Sequence, residues 1–162
     1  MIDWKEQHSS AVTRRAFCAQ ACAAASLAVL ATLTDACGGS PTEPSGSSAP
    51  PLQTVSGSVS NGVVSVNVAA GSTLATPGAA ALVQTTNGSF LVARTAPDSF
   101  TALTAVCTHE GCTVSGFQNQ TYVCPCHGST FTTSGSVVAG PASRPLRQFA
   151  TQFASNVLTI TT

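Results

Sequence analysis

Charge is what this chain has least of. Six basic and six acidic residues make up 7% of its 162 positions, and the formal net charge is zero. No basic patch is available to follow a phosphate backbone, so a nucleic-acid partner is excluded. An acidic tail is absent too. Histidine is equally scarce, with three in all. His8 falls in the N-terminal leader, which leaves only His109 and His127 for chemistry in the remainder. Nothing resembling a nucleophile with its base, or a substrate pocket, can be assembled, and no catalytic residue is expected. From residue 52 onward, no stretch shows the apolar period of a helix.

Cysteine is what the chain does have, with seven copies. Four of these and both remaining histidines fall in two stretches, Cys107-Thr108-His109-Glu110-Gly111-Cys112 and Cys124-Pro125-Cys126-His127-Gly128-Ser129. Cys107 with His109, and Cys124 with His127, pair a soft thiolate with a borderline imidazole. Two loops thus supply four metal ligands. Cys112 and Cys126, the one additional cysteine of each loop, could bridge the loops. A structural Cys2His2 zinc site is one reading of this set. Zinc fingers, however, usually pair two cysteines in one knuckle and two histidines on a helix. Here each loop supplies one of each, and its flanks read as strands and turns. That suits a cluster of two chemically different irons, one held by both thiolates and one by both imidazoles.

On these residues the sequence resembles the Rieske [2Fe–2S] family, whose loops read C-x-H-x-G-C and C-x-C-H-G-S. The resemblance implies an all-β fold, a Rieske-type antiparallel β-sandwich with a small cluster-binding subdomain at about residues 103–141. It implies one [2Fe–2S] cluster on Cys107, His109, Cys124 and His127, and a Cys112–Cys126 disulfide across the loops. Ser129, beside Gly128, would donate its hydroxyl to a bridging sulfide. Gly140-Pro141-Ala142 resembles the family's proline loop, so Pro141 would cover the cluster from a third side. Two positions depart from high-potential members. Phe131 stands where they carry a donor tyrosine, and Glu110 stands where cytochrome bc complexes often carry leucine.

Two ferric ions and two sulfides carry a formal charge of about +2, which two thiolates cancel while neutral imidazoles add nothing. Such clusters lie at about −150 to +300 mV, against about −400 mV for plant-type ferredoxins. Phe131 and Glu110 point to a middling value. Reduction should make the imidazoles hold their protons more tightly.

The N-terminal segment suggests export. Arg14 and Arg15 open an uncharged, alanine-rich stretch at residues 16–34, resembling a twin-arginine signal. The segment around Cys37 resembles a lipoprotein cleavage site, with Cys37 as lipid anchor. An uncleaved membrane helix is the alternative, since about 20 residues can span a bilayer. Cys18 and Cys22 read as small apolar residues of the signal. Residues 38–51, rich in Gly, Ser and Pro, read as a disordered linker. The expected organisation is therefore signal and anchor at 1–37, linker at 38–51 and Rieske domain at 52–162. The domain would lie on the periplasmic side of a bacterial membrane.

Strands are expected at 54–58, 63–68, 80–85, 90–94, 100–106, 121–124, 136–138, 146–153 and 157–161. Asn61-Gly62 and Asn87-Gly88 mark hairpins. The expected function is one-electron transfer between periplasmic redox proteins. Alternatives are the iron–sulfur subunit of a quinol-oxidising cytochrome bc-type complex, meeting quinol through a cytochrome b-like partner, or the small subunit of a molybdenum oxidoreductase such as arsenite oxidase. A redox-silent zinc module is the remaining alternative.

Overall fold

The computed structural model describes residues 49–162. Arg14, Arg15, Cys37 and residues 38–48 of the linker lie outside them. The described residues form twelve strands and no helix. In chain order these are β1 (Gln53–Ser56), β2 (Ser58–Ser60), β3 (Val63–Asn67), β4 (Ala80–Thr85), β5 (Gly88–Ala96) and β6 (Ser99–Thr104). There follow β7 (Gly116–Gln118), β8 (Thr121–Val123), β9 (Thr130–Thr132), β10 (Val137–Ala139), β11 (Gln148–Ala154) and β12 (Val157–Thr161). Eight strands pair in the order β1-β4-β5-β6-β11-β12-β3-β2, and four in the order β10-β9-β8-β7. The pairing is antiparallel throughout except between β1 and β4, which run parallel.

The eight-stranded order turns a corner in β11. Its first residues, Gln148 and Phe149, pair with β6, whereas Ala150 to Ala154 pair with β12. A second corner lies at Gly57, between β1 and β2. A Cβ there would meet the Val64 side chain at 2.9 Å and that of Val83 at 3.0 Å. Only glycine lets the chain cross so close to both, and the single strand expected at 54–58 is broken in two there.

The central strands explain why the sequence shows apolar runs in place of clean alternation. Ala81, Val83, Phe90, Val92, Phe100 and Ala102 face one core with Val64, Val66, Leu158 and Ile160. Leu82, Leu91, Ala93 and Leu103 face a second core with Tyr122, Phe131, Leu146 and the two free cysteines. A sheet buried on both faces needs apolar side chains at successive positions. The second core is where the four-stranded sheet and the two cysteine loops sit.

Local turn chemistry sets the edges. Asn61 and Gly62, at φ 48° and 75°, make the expected β2–β3 hairpin. The β4–β5 turn lies one residue earlier than expected. Thr85 pairs with Gly88, so Thr86 and Asn87 make the bend. The Thr85 hydroxyl fixes it, donating to the Gly88 carbonyl at 2.8 Å and accepting from the Asn87 N–H at 3.1 Å. The expected linker also ends sooner than residue 51. The Pro50 carbonyl accepts from the Phe117 N–H, and the Leu52 N–H donates to the Ser115 carbonyl. Pro50 and Pro51 therefore lie along the chain at Ser115–Phe117, where prolines need only offer carbonyls.

Candidate metal centre

Two loops with one backbone design hold the cysteines. In the first, the Gly111 N–H donates to the Cys107 carbonyl at 3.0 Å, and the Cys107 N–H to the Cys112 carbonyl at 2.8 Å. In the second, the Gly128 N–H donates to the Cys124 carbonyl at 3.1 Å, and the Cys124 N–H to the Ser129 carbonyl at 2.8 Å. Each loop closes over a strand-like pair, Val106 with Thr113 and Val123 with Thr130. The fifth residue of each is a glycine with left-handed backbone, Gly111 at φ 77° and Gly128 at φ 70°. A side chain there would be strained, which gives Gly128 its role.

The same frame carries different side chains. The first residues, Cys107 and Cys124, are both buried and both unbonded. The third residues are His109 and Cys126, the fourth Glu110 and His127, and the sixth Cys112 and Ser129. Cys112 and Cys126 form a disulfide with Cα atoms 6.5 Å apart. It joins the loops and leaves Cys107 and Cys124 as the thiols. Burial pushes the Cys124 thiol pKa up, and the neighbouring Cys107 adds to this, while the backbone N–H groups of Cys126 and His127 pull it down. Those N–H groups are placed to stabilise a thiolate once a cation neutralises its charge.

The imidazoles sit outside the thiols. The His109 and His127 rings meet edge to face, with centroids 4.9 Å apart. Their side chains are 28% and 49% exposed. The exposed Glu110 carboxylate lies between them, 3.8 Å from His109 Nε2 and 3.7 Å from His127 Nδ1. Glu110 is thus not free in solvent away from the site but reaches both rings.

A third segment closes the site beside the second loop. Gly140 packs so tightly that a Cβ would meet Ser129 Cα at 2.5 Å, and its φ is 95°. Ser129 is fully buried, and its Oγ accepts from the Ala142 N–H at 3.1 Å. The hydroxyl's own proton is left to donate elsewhere. Pro141 lies between these contacts and is itself exposed. Phe131 is fully buried in the core that also holds Cys107 and Cys124.

The donor set fits a mixed-ligand cluster better than one zinc ion. The His109, His127 and Glu110 donor atoms lie within 4.8 Å of one another, and the Cys124 sulfur groups separately with those of Cys112 and Cys126. One zinc ion would draw all four donors to a single point at about 2.0–2.3 Å. Two buried thiols apart from two outer imidazoles instead suit two metal ions of unlike ligation.

Tyr122 was not expected at the site. Its hydroxyl is buried without a partner among the described residues, and burial raises its pKa far above the ordinary tyrosine value. It lies in β8, two residues before Cys124, in the core that holds the thiols. Its place in a short strand between Thr121 and Val123 gave no sign that the hydroxyl would go unpaired.

Residues 65–150 match the model of the Rieske [2Fe-2S] domain. A cytochrome b6-f complex iron-sulfur subunit of Chlorobaculum thiosulfatiphilum is 42% identical over 52 residues, 32% of this chain and 29% of that protein. The corresponding subunit of Trichodesmium erythraeum is 55% identical over 42 residues, 25% of this chain and 23% of that one. The matched segments thus span under a third of these relatives. The crystal structure of the plasma membrane Rieske protein PetC3 from Synechocystis PCC 6803 superposes with a TM-score of 0.50 at 34% identity, covering 60% of this chain and 99% of that one.

Proposed function

The chain belongs to the Rieske [2Fe–2S] family, and from that premise we propose that it is an exported, membrane-tethered carrier of single electrons between redox proteins. Family membership implies one [2Fe–2S] cluster and an electron-transfer role, related to cytochrome b6-f subunits. The finer reading assigns Cys107 and Cys124 to one iron, and His109 and His127 to the other. The observation that carries it is the separation of donors, thiols buried and imidazoles outermost, on two loops of one backbone design.

When bound, the cluster supplies a one-electron couple at higher potential than all-cysteine centres. The chain's own residues decide how it is held and reached. The buried thiols and the disulfide keep the inner side rigid and dry. The exposed ring edges of His109 and His127 leave the outer side open to a partner. Ser129 is fixed by Ala142 with a proton to spare, so it would favour the reduced, more negative state and raise the potential. Glu110, where ionised, disfavours added electron density, with an effect that solvent weakens. Phe131 offers no hydrogen bond to offset it.

That balance supports a carrier of middling potential over a quinol-oxidising subunit. Arg14 and Arg15 would direct export, and Cys37 would anchor the chain on the periplasmic face. Replacing Cys37 with Ala should then release the protein to the soluble fraction, and continued membrane retention would exclude the lipid anchor.

The central test is low-temperature EPR of the dithionite-reduced full chain, followed by redox titration at several pH values. A rhombic signal with average g below that of all-cysteine ferredoxins is expected, with a potential inside the range above. An EPR-silent protein with stoichiometric zinc would refute the reading.

A further inference from the structure

Fully charged side chains are so few among the described residues that each can be traced. They are Arg94, Asp98, Glu110, Arg144 and Arg147. Arg94 is engaged within the fold. Its guanidinium donates to the carbonyls of Leu74, Ala75 and Pro97 and lies over the rings of Phe100 and Phe153. Asp98 lines a separate pocket with Phe100 and Phe153. Glu110 is turned to the two imidazoles. Arg144 and Arg147 remain, and neither meets a carboxylate among the described residues.

Both of these arginines are exposed, and both line one cleft of about 470 Å³ beside the first loop, with Val106, Thr108, His109 and the carboxylate-bearing Glu110. Their positions are held from behind. The Thr108 hydroxyl donates to the Arg144 carbonyl at 2.6 Å, tying that backbone to the ligand loop. The Arg147 guanidinium lies 4.6 Å from the centre of the Phe149 ring. Between them Val106 is 53% exposed, one of few large apolar side chains left uncovered. An apolar spot rimmed by two unpaired, anchored cations therefore adjoins the exposed edge of His109.

We propose that this cleft is the docking face for a redox protein that surrounds its own electron-exchange edge with acidic side chains. The inference rests on the electron-transfer reading above and names the partner's chemistry. Transient electron-transfer complexes are small, so their encounter depends on charge steering more than on buried area. Two cations on an otherwise nearly charge-free head make a local positive field, which Glu110 on the same cleft reduces in part while Asp98 lines a separate pocket. The partner's carboxylates would pair with Arg144 and Arg147 as Val106 is covered. One electron would then leave the reduced protein at the His109 edge and reduce the partner by one electron.

The test uses the reduced full chain in stopped flow with two one-electron oxidants, anionic ferricyanide and cationic tris(phenanthroline)cobalt(III). The ferricyanide rate should fall about 10-fold from low to high salt, and the cobalt rate should not fall. Polyglutamate should slow ferricyanide at low salt, and polylysine should not. In R144E/R147E the low-salt ferricyanide rate should drop about 10-fold, with R144Q/R147Q between it and the parent. The rhombic EPR signal should persist in both variants, while the midpoint potential falls slightly, more in R144E/R147E than in R144Q/R147Q, as the local charge becomes more negative. Salt-independent rates, no competition by polyglutamate, or unaltered variant rates with an intact EPR signal would overturn the docking face alone. An EPR-silent parent protein would overturn both this inference and the reading beneath it.

Discussion

The two cysteine loops are wound alike and finished differently. Both use the same pair of backbone hydrogen bonds and a left-handed glycine in fifth place. The second loop is then sealed by Gly140 against its backbone and by the Ala142 N–H on Ser129. The first has only the Thr108 hydroxyl reaching Arg144 and otherwise borders an open cleft. Under the proposals above, one winding would serve two tasks, the second loop setting the cluster's properties and the first giving a partner access.

The sealing of the second loop is the easiest part of this contrast to break. Gly140→Ala adds a Cβ 2.5 Å from Ser129 Cα at a φ of 95°. Overpacking against backbone, together with a left-handed alanine, should cost about 4 kcal/mol. Thermal melts would show it, and cluster content on purification should fall with it. At Gly111 a Cβ meets nothing within 4 Å, so Gly111→Ala should lose only the left-handed term, about 1–2 kcal/mol. Equal losses at the two glycines would remove the distinction between sealed and open loops.

The disulfide ranks next, because it ties the open loop to the sealed one. Cys112 and Cys126 are 14 residues apart, and closing a loop of that size is worth about 3 kcal/mol in the chain-entropy model. A C112A/C126A variant should melt lower by that amount and lose its cluster faster under denaturant. Retained stability would mean that the hydrogen bonds of each loop suffice without the link.

Ser129→Ala separates tuning from holding. It strands the Ala142 N–H in a buried place, at a cost of about 1–3 kcal/mol. It also removes the hydroxyl donor, so the midpoint potential should fall. Thr108→Val on the first loop removes a hydrogen bond that is exposed, and should leave the potential where it was. Matching shifts from both variants would show that the two loops tune alike.

Much of this site was legible because its chemistry is carried by side chains at fixed spacing. The loops, the disulfide partners and the third segment at Gly140 are all read from short motifs. The all-β reading followed from runs of β-branched residues, and Asn61-Gly62 announced its turn. Turns without glycine were not announced. Asn119-Gln120 and Ser155-Asn156 adopt left-handed backbone at φ 50° and 59°, and 50° and 61°. The first of these hid β7, only three residues long, and β9, equally short, was hidden directly after the second loop's Gly128-Ser129. The pairing of Pro50 and Pro51 was missed because composition reports what a segment can bury, not what its carbonyls can accept. The Arg144 and Arg147 pairing across one cleft was invisible for a related reason. Only the fold sets the segment at 144–147 against the loop at 106–111.

The smallest expected effect lies behind the loops, at the residue two places before each first cysteine. That residue is Ala105 on the open side and Tyr122 on the sealed side, both buried in the same core. The Tyr122 hydroxyl has no partner among the described residues, so Tyr122→Phe removes an unpaired polar burial and should stabilise the fold by about 1 kcal/mol. The pH dependence has a definite sign. Unfolded tyrosine ionises near pH 10, whereas burial raises the folded value well above that. The unfolded state then releases a proton that the folded state keeps, so stability falls as pH rises through about 10. The phenylalanine variant should lack that tyrosine-linked loss. The chain has a single tyrosine, so tyrosinate absorbance reports Tyr122 alone and should appear only as the protein unfolds. Tyrosinate forming near pH 10 in the folded protein would show the hydroxyl to be solvated, and the sealed side would then be less dry than the packing around Cys124 requires.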